Sequence, residues 1–225
     1  MSAQPVLIDG AWTASIGTKT FRAVNPRTRE VLAYEYVVSP WAEIERALQA
    51  ADRAFKTVQG WPGERFAKFL ERYAELIEVK ATEIANAAHL ETGYPIEPRL
   101  AKAELPRTTN QLRQAATAAR DGSWAVPTID TANNIRSILG SLGPVVVFGP
   151  NNFPCAFNSM AGGDFAAAVA AGNPVLAKGH SSHPTTTRLF AEAAQQAAQE
   201  TGMPNGFVQL IYRTEHADGE RLVSH

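Results

Sequence analysis

One cysteine stands in a chain of 225 residues. A lone thiol excludes an internal disulfide framework and a multi-cysteine zinc site, and it fits a reducing compartment. Charge of one sign is missing as well: 21 Lys and Arg face 22 Asp and Glu, for a net charge of −1. A large nucleic-acid footprint needs a basic excess, so no nucleic-acid partner is expected. Long apolar runs are absent. The most apolar tract, Phe165 to Ala171, is bounded by Asp164 and Gly172, far short of the roughly 20 residues that span a bilayer. The opening MSAQPVLIDGAWTAS has neither the basic start nor the apolar core of a signal peptide. No membrane partner and a cytoplasmic location are therefore the expectation. With 16 Gly and 14 Pro the chain is not collagen-like, and 45% hydrophobic against 19% charged residues is the usage of a folded protein. The familiar nucleotide and nucleophile signatures, G-x-G-x-x-G, G-x-x-x-x-G-K-[ST] and G-x-S-x-G, are also missing.

What is present is a change of pattern along the chain. Val6 to Ile8 runs into Asp9-Gly10, a turn signal, and the runs Phe21–Val24 and Val31–Tyr36 flank a hairpin connection over 25–30. Helical spacing follows. Ser39 is placed to cap and Pro40 to take the first helical position, ahead of the stripe Ile44, Ala47, Leu48, Ala51 and Phe55. Phe66, Phe69, Leu70, Tyr73 and Ile77 repeat the pattern. A third helix is expected over 81–93, stopped by Gly93, and a fourth over 97–119, which Pro106 should kink or split. The stretch 124–129 reads as an edge or connecting strand because it contains Pro127.

After Gly140 short apolar runs alternate with helical stretches: 145–148, then 162–171, then 174–177, 185–201 and 207–212. Strand, helix, strand, helix, strand predicts a parallel sheet with crossover helices, and runs without alternation predict strands buried on both faces. The expected fold class is α/β, a helical segment plus the start of a doubly wound, Rossmann-like parallel sheet. Residues 1–120 would pack on the cofactor domain, 121–142 would connect or oligomerise, and 143–225 would form the first half of a cofactor-binding domain. Three parallel strands would leave an open edge, an aggregation hazard.

Ligands in such sheets sit at the C-terminal strand ends. Here those ends carry Gly149-Pro150-Asn151-Asn152 and Lys178-Gly179-His180-Ser181. Gly149 permits close backbone approach by a ligand. The Asn152 amide is a neutral donor of the kind that stabilises developing oxygen charge. The plain alternative is that both asparagines only organise a turn, and on spacing alone that reading has the advantage. Lys178 can reach a ribose or phosphate, with a solvated strand-end lysine as the equal alternative. His180 and His183 have a metal-like spacing but no acidic partner nearby, so metal is a remote option. Cys155 has apolar neighbours and no nearby base, the setting of a packed, inert thiol rather than a nucleophile.

These residues resemble the aldehyde dehydrogenase superfamily. The match rests on 143–154 (GPVVVFGPNNFP), Gly162-Gly163-Asp164, 170–175 and 177–184 (AKGHSSHP), with Asn25-Pro26, 91–95 (ETGYP), 107–109 and 129–131 upstream. The likeness is greatest to the branch that oxidises ketoglutarate semialdehyde (2,5-dioxovalerate). It implies NADP- or NAD-dependent oxidation of a small-molecule aldehyde to an acid, by a cysteine thiolate, hydride transfer and thioester hydrolysis, in an enzyme that is a homo-oligomer at full length. By the same resemblance Asn152 holds the oxyanion, Phe148, Gly149, Pro150 and Asn151 line the cofactor, and Lys178 contacts the adenosine ribose. Ser181 falls where many NAD-preferring members carry Glu, so the repulsion of a 2′-phosphate is gone and NADP is expected to be accepted. The family's nucleophilic Cys and general-base Glu are expected beyond His225, which would leave this chain inactive alone. The alternative is a truncated, non-catalytic relative that binds nucleotide or a full-length partner. The segment 131–138 is short for the branch, which puts the oligomerisation hairpin in question.

Overall fold

A computed structural model describes residues 3–225. At its centre lies a five-stranded sheet, in which the three apolar runs become β7 (Val145–Phe148), β8 (Val175–Lys178) and β9 (Val208–Ile211). They pair parallel and in register, Val145 opposite Val175 and Val175 opposite Val208. Parallel neighbours need a crossover, and here α5 (Gly163–Ala170) and α6 (Pro184–Thr201) supply it. The Asp9-Gly10 turn joins β1 (Val6–Ile8) to β2 (Ala11–Thr13), and β1 runs antiparallel to β9 through Leu7 and Leu210. The sequence pattern gives three strands; the hairpin adds two and covers the β9 edge. Full burial holds for β9 and nearly for β8, whereas Val145 and Val146 of β7 are half-exposed. β7 ends the sheet, with β8 as its only strand neighbour among the described residues.

One apolar core joins this sheet to the helices α1 (Trp41–Val58), α2 (Gly63–Val79), α3 (Ala81–Thr92) and α4 (Leu105–Asp121). Every apolar residue read on the α2 stripe is buried. Phe69 meets Phe207 edge-on with ring centroids 5.9 Å apart, and Tyr73 meets Phe165 at 5.7 Å. On α1 the buried stripe is rotated: Ala50 and Ala54 face the core while Leu48 and Phe55 are half-buried. The small alanines let the helix lie close to the sheet. Gly93 ends α3 in the left-handed conformation, with φ 72°, as its position predicts.

Three local expectations are corrected. Ser39 does not cap α1. It ends β4 (Val31–Ser39), which pairs antiparallel with β3 (Thr20–Val24) and parallel with β10 (Arg213–Thr214), so Ser39 is committed to the ladder and its buried hydroxyl has no partner among the described residues. Pro40 precedes the helix rather than starting it. The expected split at Pro106 is present, as a change of helix type: the stretch Ile96–Glu104 is π-helical, Glu104 and Leu105 keep helical backbone angles, and α4 runs on from Leu105. Trp124 lies in a 3₁₀ turn, Ser123–Ala125, and only Thr128–Asp130 (β5) is strand, paired with β6 (Ile135–Ser137) in a short exposed hairpin.

Tyr73 ties these layers together. Its fully buried hydroxyl lies 2.9 Å from the Met160 carbonyl and 3.1 Å from that of Phe190. Removing the hydroxyl while keeping the ring leaves buried acceptors short of a donor, at a cost of about 1–2 kcal/mol. Tyr73→Phe is therefore expected to lower the urea midpoint with the slope unchanged. An unchanged midpoint would show that the hydroxyl adds nothing.

Candidate functional site

Register decides what meets at the sheet's C-terminal edge. Phe148 ends β7 opposite Lys178 of β8, and Lys178 lies opposite Ile211 of β9. The Lys178 ammonium stands 5.7 Å from the centre of the Phe148 ring. Both line a cleft of about 530 Å³, with Ser181, Arg213, Thr214 and the inner face of α7 (His216–Ser224). A second cavity of about 400 Å³ adjoins it, lined by Asn151, Glu91, Tyr94 and Ser182 among others. Ser181 and Arg213 border both spaces.

The cleft carries charges of both signs, Lys178 and Arg213 beside Glu215 and Glu220. Burial lowers the Lys178 pKa, and the nearby Arg213 charge lowers it further. Among the described residues neither cation is in an ion pair, whereas Glu215, which also borders the cleft, is held by Lys19 at 2.7 Å. Two unpaired cations beside an exposed aromatic ring and a hydroxyl suit a phosphate-bearing, partly aromatic ligand. A dinucleotide fits that donor set.

The turn after β7 is built differently from its sequence reading. Gly149 is needed for packing: a Cβ there would stand 2.7 Å from the Ser159 backbone nitrogen. The glycine lets the chain fold back on itself, and no ligand is required to explain it. The Pro150 carbonyl accepts from His183 Nε2 at 3.0 Å. A carbonyl only accepts, so the His183 proton sits on Nε2. The Asn152 carbonyl accepts from Arg99 Nη2 at 2.6 Å, and the Cys155 and Ala156 amides donate to Glu104 at 3.1 and 3.3 Å. With the backbone held this way, Asn151 and Asn152 are exposed. Phe148, Lys178 and Ser181 are thus brought together in one cleft, Asn151 borders its neighbour, and Gly149, Pro150 and Asn152 form the adjoining turn without lining either space.

Cys155 is fully buried, and burial together with the Glu104 charge pushes its thiol well above the ordinary range. His180 and His183 stack at 5.4 Å, but His180 Nδ1 accepts from the Ser182 amide and His183 is committed to Pro150. Among the described residues no group of three or more His, Cys, Asp or Glu could hold a metal ion, and no helix is long and apolar enough to cross a membrane.

Sequence reasoning missed Arg99, Glu104, Glu91 and Arg213. Glu91, on α3, accepts from the Thr185 and Thr186 amides at 2.7 and 2.9 Å and so caps α6 from another helix. Burial raises its pKa, while those same bonds oppose the rise. A carboxylate borrowed across the fold leaves no local signature. Arg99 and Glu104 are five residues apart, a spacing that a search for three-and-four periodicity passes over.

The family model described as "Aldehyde dehydrogenase family" matches residues 12–225. An alpha-ketoglutaric semialdehyde dehydrogenase 2 of Azospirillum brasilense is 39% identical over 97% of this chain and 43% of its own length. An alpha-ketoglutaric semialdehyde dehydrogenase of Acinetobacter baylyi is 36% identical over 92% of this chain and 40% of its own. Among solved structures, a mutant aldehyde dehydrogenase C of Pseudomonas syringae, in complex with NAD+ and octanal, superposes with a TM-score of 0.85 at 27% identity, over 100% of this chain and 44% of its own. The chain therefore spans less than half the length of these relatives.

The burial of His183 makes the fold sensitive to acid, and its bond to the Pro150 carbonyl only partly opposes the effect. Burial lowers this imidazole from 6.5 to about 4. As pH falls the unfolded chain takes up the proton first. The stabilisation is complete above about 6.5 and is lost between there and about 4, at roughly 1.4 kcal/mol per unit and on the order of 3 kcal/mol in all. Urea unfolding is expected to show stability falling from pH 7 to 5, and His183→Gln, which keeps a donor for Pro150, is expected to flatten that fall. Equal slopes in both proteins would contradict the assignment.

Proposed function

The chain belongs to the aldehyde dehydrogenase family, and from that premise we propose that it carries the cofactor-binding portion of an oxidoreductase that converts an aldehyde to a carboxylic acid with NADP or NAD. The proposed substrate class is a semialdehyde of the ketoglutarate type, on the strength of the two semialdehyde dehydrogenases it resembles. In this reading residues 143–225 are the first half of the cofactor domain, the preceding helices brace it, and full-length molecules associate as homo-oligomers. The observation that carries the proposal is the pair of unpaired cations, Lys178 and Arg213, in a cleft at the C-terminal ends of parallel strands. Open α/β sheets bind dinucleotides at that edge.

Each residue then has a physical role. Lys178 donates to the adenosine ribose hydroxyls. Ser181 leaves room for a 2′-phosphate and offers it a hydroxyl, and Arg213, at the junction of the two spaces, supplies the charge that a phosphate requires. Phe148 presents an apolar wall, and the backbone of Gly149 to Asn151 carries that wall toward the turn. The exposed Asn152 amide donates to the aldehyde oxygen as it gains negative charge. When bound, the nicotinamide supplies the hydride acceptor. The thiolate nucleophile has no candidate here, because the only cysteine is Cys155, buried and pushed toward its neutral form.

Calorimetric titration of the 225-residue chain tests the reading. NADP+ is expected to bind at least tenfold more tightly than NAD+, about 1.4 kcal/mol, and Arg213→Ala is expected to abolish that preference. NAD+ binding as tightly as NADP+ would contradict the Ser181–Arg213 role, and failure of both to bind would contradict the cofactor reading. Aldehyde-dependent NADPH formation by this chain is expected to be undetectable; its appearance would show that Cys155 is reactive after all.

A further inference from the structure

We propose that Arg99 and Glu104 are positioning residues for the turn that carries Asn152, a role that rests on the reading of Asn152 as the donor to the reacting oxygen. The two side chains close a ring with the turn. Glu104 accepts from the Cys155 amide at 3.1 Å and the Ala156 amide at 3.3 Å through one oxygen, and from Arg99 Nε at 2.9 Å through the other. Arg99 Nη2 then donates to the Asn152 carbonyl at 2.6 Å. Both ends of the turn are gripped by one ion pair, and the Asn152 side chain is left outside the ring.

The local helix geometry makes this pair. Arg99 and Glu104 are five residues apart, and the Leu105 amide donates to the Leu100 carbonyl five residues back. That is π-helical bonding. An α-helix brings residues three and four apart together, so it would turn Glu104 away from Arg99. The π stretch aims both at the turn, and the transition to ordinary α-helix follows at Leu105.

The surroundings make the ring stiff. The Glu104 side chain is 4% exposed and that of Arg99 33%. The Arg99 guanidinium lies 3.7 Å from the centre of the Tyr94 ring and 5.1 Å from that of Phe153. A carboxylate so buried is held by its partners, and losing one leaves a charge without compensation. Arg is required because its planar fork reaches a carboxylate and a carbonyl at once, which a lysine ammonium on a flexible stem does not do as a fixed unit. No contact of either side chain lies in the cleft that holds Lys178. They act on the site through the turn.

Amide exchange and side-chain NMR of the 225-residue chain distinguish positioning from general support. Arg99→Ala removes no bonding partner of the Cys155 or Ala156 amides, yet it is expected to speed their exchange at least tenfold. The Val175 and Gly179 amides, bonded to β9 and its flanks, are expected to keep their rates. The Asn152 side-chain NH₂ signal, assigned by its loss in Asn152→Ala, is expected to shift in Arg99→Ala and to remain displaced in Arg99→Lys, which restores the charge without the fork. Unchanged exchange at 155 and 156, an increase shared equally by 175 and 179, or an Asn152 signal that stays in place would each overturn the proposal. These readouts need no cofactor, so a chain that binds no NADP+ would sink the functional reading while the positioning role was still being judged on its own.

Discussion

In-register parallel pairing of β7, β8 and β9 is the constraint on which the rest of the structure depends. Parallel strands all point the same way, so each delivers its last residue to one edge of the sheet. Phe148, Lys178 and Ile211 are thereby set side by side without any of them needing to attract the others. The loops that follow inherit this alignment. Lys178 and Ser181 leave β8, Arg213 leaves β9, and α7 closes the far side of the same cleft. A slip of one residue in β8 would turn Lys178 to the opposite face.

The alignment alone would leave the segment after β7 free to move. Side chains from two other parts of the chain prevent that. His183, at the start of α6, takes the Pro150 carbonyl; Arg99 and Glu104, from the π stretch, take the Asn152 carbonyl and two following amides. The bonds to the Cys155 and Ala156 amides satisfy buried backbone groups that would otherwise lack a partner. Gly149 makes the fold-back sterically feasible. The turn is therefore ordered by groups that lie far from it in sequence, and the asparagine side chains are what it has left to offer a ligand.

Much of this fold was legible because hydrophobic spacing reports burial directly. The α2 stripe and the runs that became β8 and β9 are read from apolar residues that do face the core. The misreadings arise where a distant partner overrules a local signal. Ser39 looks like a cap but is drawn into the ladder by β10. The cleft residues Lys178 and Ser181 were visible through strand-end position, with resemblance supplying their roles. Arg99, Glu104 and Arg213 were not visible, because their meaning lies in pairings across 50 residues or more, or in a charge that has no ion pair among the described residues.

The central claim is that the cleft between the strand ends and α7 seats a dinucleotide against Lys178. Affinity labelling addresses it most directly. NAD+ whose adenosine ribose has been opened by periodate to a dialdehyde forms an imine with a lysine held beside that sugar, and borohydride fixes the adduct for peptide mapping. The account predicts labelling at Lys178, prevented by excess NADP+. Labelling spread over surface lysines, or a Lys178 adduct that excess NADP+ does not suppress, would contradict it.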